Sequence, residues 1–437
     1  MAFSGENLGA FGRAKELHKR LLFVLIALLV FRLGTFIPLP GINPVVFARI
    51  FEQNQGGILG MFNMFAGGAL KRMSIFALAI MPYISASIIM QLASSIVPSL
   101  MALKKEGQTG QTKINQYTRY LTVLITIVQG YGIAAGLEGM GAVLYSGPVF
   151  RFTAVVSLLG GTMFIVWLGE QITSRGIGNG SSIIITAGIL AELPSAIVGL
   201  FEAGRVGEIS TAKVMLVVAA MAVLVLLVVT VERAQRRISI QYPKRQIGMQ
   251  MSMGDSSHLP LKINPTGVIP PIFASSILMV PIAAADFAVR AGRGPAWLED
   301  FVTMMNRGSP LHMGLFAFLI VFFTFFYTAV VFNPTETADN LKKQGGFILG
   351  IRPGASTAEY LDYVLTRLTV LGSAYLVLLC TAPEIMASKM GVPMFLGGTT
   401  LLIVVTVIMD LTTQVQSYLI AYQYEGLLKK AHLKGRI

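Results

Sequence analysis

SIFALAIMPYISASIIMQL, residues 74–92, is a run of nineteen residues without a charge and with Pro82 inside it. A helix crosses a bilayer with about 20 mostly apolar residues, so the run predicts a membrane span. Lipid tolerates a proline interruption only where neighbouring helices or cavity water satisfy the freed backbone groups. Just upstream stands MFNMFAGGAL, residues 61–70, whose adjacent Gly67 and Gly68 argue against one continuous helix. Lys71 and Arg72 separate the two pieces, and Ser85 and Ser87 follow Pro82 by about one turn. A near-copy recurs 188 residues on: aligning Pro82 with Pro270 places Ile84 on Ile272, Ala86 on Ala274, Ser87 on Ser275 and Ile89 on Ile277. Two similar proline-broken spans in corresponding places predict two related halves facing each other across a site.

The rest of the chain fits that frame. Of 437 residues, 54% are hydrophobic and only 13% charged, against roughly 25% charged in soluble domains. The composition is that of an integral membrane protein. Ten spans are expected, at approximately 21–38, 73–98, 118–137, 152–172, 181–202, 212–231, 267–289, 311–332, 368–387 and 396–418. The fourth and fifth are divided only by the glycine-rich turn Arg175-Gly176-Ile177-Gly178-Asn179-Gly180. Basic residues before Leu21 imitate a signal peptide, but no clear small-residue cleavage site follows, so a retained first span is expected.

The net charge of +13 invites a nucleic-acid reading. Its distribution argues against direct DNA binding, because basic residues cluster in loops between spans, as the positive-inside rule expects. With ten spans both termini share a side; that side holds 23 of the 34 Lys and Arg, the other about 10. Both termini are therefore expected in the cytosol. Two long cytosolic loops, roughly 232–266 and 333–367, flank the second proline-broken region and suggest a docking surface for a large partner. The outer loop 290–310 is expected to be a connector.

The chemistry of catalysis is not visible. The sequence contains no P-loop, no G-x-S-x-G nucleophile elbow and no histidine pair at ligand spacing. His18, His258, His312 and His432 are scattered, and the single Cys380 is expected to be an inert buried thiol. Neither a cofactor nor a metal is expected, and a membrane-embedded enzyme is disfavoured. Glu192, deep in the fifth span, is the one carboxylate that an ion-coupled secondary transporter of a small solute could use. The alternative, favoured here, is a group facing a watery vestibule.

The spans do place isoleucine at one depth. At about 1.5 Å per residue, ten residues reach the middle of a roughly 30 Å layer. Ile185 lies ten residues from Arg175 and Ile272 ten from Lys262, while Ile80 and Ile84 lie eight and twelve beyond Arg72. Ile403 sits at similar depth in the tenth span. Four helices carrying isoleucine at the midplane suggest a constriction.

Over essentially its whole length the chain resembles the SecY family, channel subunits of the bacterial protein translocase. The residues that carry the likeness are FNMFAGGAL (62–70), IMPYISASII (80–89), GEQITSRGIGNG (169–180), GVIPPIFASSI (267–277), FNPTETADNLKKQGGFILGIRPG (332–354) and GGTTLLIVVTVIMD (397–410). The resemblance implies an all-α polytopic fold of two inverted five-helix halves, 1–205 and 206–437, around an hourglass pore. It implies a protein-conducting channel passing unfolded, signal-bearing polypeptides across, or sideways into, the inner membrane. The pore ring would comprise Ile80, Ile84, Ile185, Ile272 and Ile403. The plug segment, 61–72, would be built on Met61, Phe62, Asn63, Met64, Phe65, Ala66, Gly67, Gly68, Ala69 and Leu70. A lateral gate to membrane lipid would lie between spans two and three and spans seven and eight, with Ser85, Ser87, Ile88, Gln91, Gln129, Ser275 and Ser276 along its seam. Lys244, Arg245 and Arg352 would dock the motor ATPase SecA or the ribosome, and the small membrane subunits SecE and SecG are implied partners. The chain departs from the family at Ser181, where another apolar ring residue is usual, and at Met249 and Gln250, where an adjacent basic pair is common.

The physics agrees with these expectations. A pore for unfolded chains must hold no side chain tightly; isoleucine offers no hydrogen bonds and few rotamers, and a ring of it can dewet when empty. Interhelical hydrogen bonds in membranes average only about 0.6 kcal/mol, so a signal helix can compete for a polar seam.

Overall fold

The computed structural model describes residues 15–53, 63, 65–207, 209–242, 246–247, 250–251, 256–290, 295–305, 308–390 and 397–434. In chain order the elements are α1 (Lys15–Gly34), α2 (Pro44–Gln53), α3 (Met81–Ile96), α4 (Pro98–Lys105), α5 (Gln108–Gly139), α6 (Pro148–Arg175), α7 (Gly180–Val206) and α8 (Thr211–Arg233). Then come β1 (Gln235–Gln241), β2 (Gln246–Ile247), β3 (Gln250–Met251), β4 (Ser256–Lys262), α9 (Ile269–Arg290), α10 (Ala296–Met304) and α11 (Pro310–Val331). The chain continues through α12 (Pro334–Lys343), β5 (Phe347–Ile348), α13 (Ala355–Met390) and α14 (Gly398–Lys434). Helices α1, α3, α5, α6, α7, α8, α9, α11, α13 and α14 occupy the ten expected spans. Among the described residues seven helices are singly long and apolar enough to cross a membrane; the pair α3–α4, bent by 95°, is an eighth only when counted as one span. The bend has a local cause: Val97 precedes Pro98 and is extended, as a residue before proline prefers.

Two compact units form, one of residues 1–202, 279–307 and 403–437, the other of 203–278 and 308–402. In the first, α5 packs on α3 and α6, and α1 on α6. The buried face of α5 carries Thr118, Thr122, Thr126, Gly130 and Ala134, four residues apart on one helix side. Each threonine hydroxyl donates to the carbonyl one turn back, at 2.7–2.9 Å, so these polar side chains are buried with their donors satisfied. Leu22, Leu25, Leu29 and Leu33 of α1 point outward, an arrangement stable where the surrounding solvent is hydrocarbon.

The second span departs from expectation. Residues 74–80 are not helical; successive turns run from Ser74 to Met81, with the Ala77 N–H on the Ser74 carbonyl at 2.9 Å and the Ala79 N–H on Phe76 at 2.8 Å. The backbone is satisfied from elsewhere: the Leu39 N–H donates to the Met73 carbonyl at 2.9 Å and the Ile75 N–H to Ile37 at 3.0 Å. Gly161 of α6 lets the chain pass, since a Cβ there would overlap the Ile75 carbonyl. Pro82 therefore does not break a helix. It opens α3 from the first turn, where its missing N–H costs nothing.

In the second unit, β1 lies between β4 and β5 in one antiparallel sheet. Gln235 pairs with Lys262 at one end and Gln241 with Ser256 at the other, and on the opposite edge Ile240 pairs with Ile348. The two expected long loops are thus one structure. Neither is all loop: α13 begins at Ala355, inside the range 333–367, and α12 fills 334–343. The outer connector 290–310 likewise contains α10.

Candidate functional site

Asn63 and residues 65–72 form a small self-closed loop. Gly67 and Gly68 have φ of +62° and +80°, values glycine adopts without steric cost. The Gly68 N–H donates to the Asn63 carbonyl at 2.9 Å, and the Lys71 N–H to Asn63 Oδ1 at 2.8 Å. Phe65, Ala66, Ala69 and Leu70 are buried. Of the expected plug residues, Met61, Phe62 and Met64 lie outside the described residues.

The loop sits on one face of α7. Ile185, Gly188 and Glu192 are spaced i, i+3, i+7 and share that face. Gly67 lies backbone to backbone on Gly188, so closely that a Cβ at Gly67 would come within 2.9 Å of the Gly188 Cα. A Cβ at Gly68 would overlap Glu192 Oε1. From α1, Arg32 Nη1 donates to the Gly67 carbonyl at 2.6 Å. The Arg32 and Arg72 guanidinium carbons lie 5.4 and 4.0 Å from the Phe36 ring centroid. Glu192, the carboxylate singled out in the sequence, is half-buried against this loop. Arg32 and Gly188 were not singled out there; an arginine in the last turn of the first span and a glycine seven residues beyond Ser181 were the available signals.

The five isoleucines are all withdrawn from the exposed surface. Ile80, Ile185 and Ile403 are buried, at 1%, 4% and 1% exposure, while Ile84 and Ile272 are half-buried. Ile80 caps the start of α3, and Ile185 lies one turn from the loop's seat on Gly188.

The internal repeat holds in local structure. Pro82 is the second residue of α3 and Pro270 the second of α9. The Ile84 N–H bonds the Ile80 carbonyl at 3.1 Å, and the Ile272 N–H bonds the Val268 carbonyl at 3.4 Å. Ala86 and Ala274 are both fully buried, and Ile89 and Ile277 are both exposed.

Along the expected gate, Ile88, Ser275 and Ser276 are buried, Ser85, Ser87 and Gln129 are half-buried, and Gln91 is exposed. The Ser275 hydroxyl donates to the Ile272 carbonyl of its own helix at 2.9 Å. The Ser276 Oγ has no hydrogen-bond partner among the described residues. Arg352 is exposed in the turn after β5, whereas Lys244, Arg245 and Met249 lie outside the described residues and Gln250 belongs to β3. Among the described residues no three His, Cys, Asp or Glu gather where they could hold a metal.

Comparison with known proteins shows the family. The SecY family model matches residues 74–412. The chain is 54% identical over 428 residues to the protein translocase subunit SecY of Escherichia coli strain K12, covering 97% of this chain and 96% of that one. It is 52% identical over 424 residues to the Pseudomonas aeruginosa protein of that name, covering 97% and 96%. Among solved structures, a protein-conducting channel matches with a TM-score of 0.65 at 18% identity over 93% of both chains. The Sec61 of the canine ribosome–channel complex matches with a TM-score of 0.64, also at 18% identity over 93% of both. At that identity the structural likeness establishes the fold.

Proposed function

The chain belongs to the SecY family, and from that premise we propose that it is a protein-conducting channel moving unfolded, signal-bearing polypeptides across a membrane or laterally into it. It is a multi-pass membrane protein with no catalytic step of its own. The observation that carries this reading is the loop of Asn63 and residues 65–72, lodged on α7 one turn from Ile185. A channel for chains of every composition needs a waist without sticky groups and a stopper that can leave it. Isoleucine supplies the first. A glycine-hinged loop closed on its own Asn63 supplies the second, because it can move as a piece.

In this proposal Ile80, Ile84, Ile185, Ile272 and Ile403 form the waist, and residues 61–72 the plug. The halves 1–205 and 206–437 part along α3 and α5 on one side and α9 and α11 on the other. Ser276, buried with no hydrogen-bond partner among the described residues, is a donor that an entering signal helix can use. The partners are SecE and SecG in the membrane, and SecA or the ribosome at the loops joined by the β4–β1–β5 sheet, with Arg352 as the docking residue. The setting is the bacterial inner membrane, with both termini in the cytosol.

Reconstitution tests the reading. Purified chain in liposomes with its small subunits should transport a signal-bearing polypeptide only when a motor and its fuel are added. Solute accumulation driven by an ion gradient, lost in Glu192→Gln, would overturn it.

A further inference from the structure

Three charged side chains surround the backbone of the loop at Gly67 and Gly68, and the channel reading leaves them without a role. Arg32 holds the Gly67 carbonyl. Glu192 stands against Gly68, and Arg72 Nη1 lies 3.7 Å from the point where a Gly68 Cβ would be. That nitrogen is buried and has no hydrogen-bond partner among the described residues. The charges acting on Arg72 are Arg32, which repels it, and Glu192, which attracts it. Both guanidinium groups share the Phe36 ring, whose face attracts cations but cannot cancel their mutual repulsion.

Two cations around one half-buried carboxylate carry a net charge of +1, which rises to +2 when the carboxylate is removed. The geometry points to Arg32 and Glu192 as a latch for the closed channel: Arg32 ties the loop at Gly67, and Glu192 lets Arg72 remain beside Arg32 with the loop seated on α7. The inference rests on the plug assignment above and deepens it. The hydrogen bond of Arg32 and the close approach of Glu192 fall on two consecutive residues, Gly67 and Gly68, so both are lost together when the loop lifts. Asn63 keeps the loop closed on itself as it goes. Without the carboxylate, Arg32 and Arg72, which lie 5.4 and 4.0 Å from the same ring centroid, repel each other with no anion between them. The strain is relieved by moving Arg72, the one of the two carried by the loop.

The test is resting ion conductance of the full-length chain, in its purified membrane complex, in planar bilayers. Glu192→Gln keeps the size of the side chain and removes its charge. It should raise resting conductance about tenfold, as for loss of a charge-assisted contact. Adding Arg72→Gln removes one of the two cations, returns the group to its original net charge and should bring conductance back toward wild type. A side chain that merely filled space would not show that rescue. Melting of the solubilised complex checks that each variant is folded. A 62–70 deletion run alongside separates the two levels of the reading. If the deletion leaks and Glu192→Gln does not, the latch is wrong and the plug stands. If the deletion does not leak, the plug assignment fails and the latch with it. If Glu192→Gln leaks but Arg72→Gln gives no rescue, the charge balance is wrong.

Discussion

One methyl group at Gly188 should open the resting channel while leaving the fold intact. A Cβ there would lie 3.2 Å from the Gly67 nitrogen, 3.2 Å from the Phe65 carbonyl oxygen and 3.3 Å from the Gly67 Cα. Ordinary contact between carbon atoms is about 3.5–4.0 Å, so something must retreat by a few tenths of an ångström. All three neighbours are backbone atoms and cannot rotate aside. On one side is α7, a helix of 27 residues; on the other is a short loop, and the loop gives way. Overpacking of this kind costs about 1–3 kcal/mol. In a two-state equilibrium that is roughly a 5- to 150-fold shift toward the displaced loop. The helix itself gains, since alanine in place of an interior glycine favours helix by about 1 kcal/mol. Gly188→Ala should therefore raise resting conductance in planar bilayers while the melting temperature holds or rises, and Gly188→Val should go further in conductance. Wild-type conductance in a folded Gly188→Val variant would refute the seating of Gly67 on Gly188.

Polar replacement at the waist, Ile84→Asn or Ile272→Asn, should loosen the closed state and admit polypeptides with defective signal sequences; unchanged stringency in an export assay would remove those residues from the ring. Arg352→Glu should block export at unchanged membrane abundance, and normal export would dismiss it as a docking residue. Gly180→Ala should cost about 3 kcal/mol or more, because its Cβ would overlap the Gly169 carbonyl across the α6–α7 hairpin; a wild-type melting temperature would mean that the hairpin is looser than it stands here.

Composition and periodicity made the ten spans legible, because each is a long apolar run bounded by charge. The turn at Gly176–Gly180 was legible for the same reason that it exists: the backbones of α6 and α7 meet there, and only glycine fits. What the sequence concealed was how residues 74–80 cross apolar surroundings. A run of SIFALAI has every attribute of helix except that its hydrogen bonds are taken by Ile37, Ala69 and its own turns. Local propensity carries no record of such distant partners. Arg32 was hidden likewise, since its meaning depends on a carbonyl 35 residues away. The long loops read as two charged linkers because strand pairing between Ile240 and Ile348 joins stretches too far apart for any local pattern to show. The repeat around Pro82 and Pro270 was visible as letters, and its physical content, a helix opened by proline at the same place in each copy, became plain only from the backbone.

The sheet of β4, β1 and β5 has a mechanical consequence. β1 follows α8 after a single residue, β4 leads within seven residues to α9, and β5 stands just before the turn that bears Arg352. A displacement of that turn reaches the feet of α8 and α9 through the pairing of β5 with β1 and of β1 with β4. Whatever grips the exposed arginine therefore holds a short lever on the helix that repeats α3, with no slack tether in between.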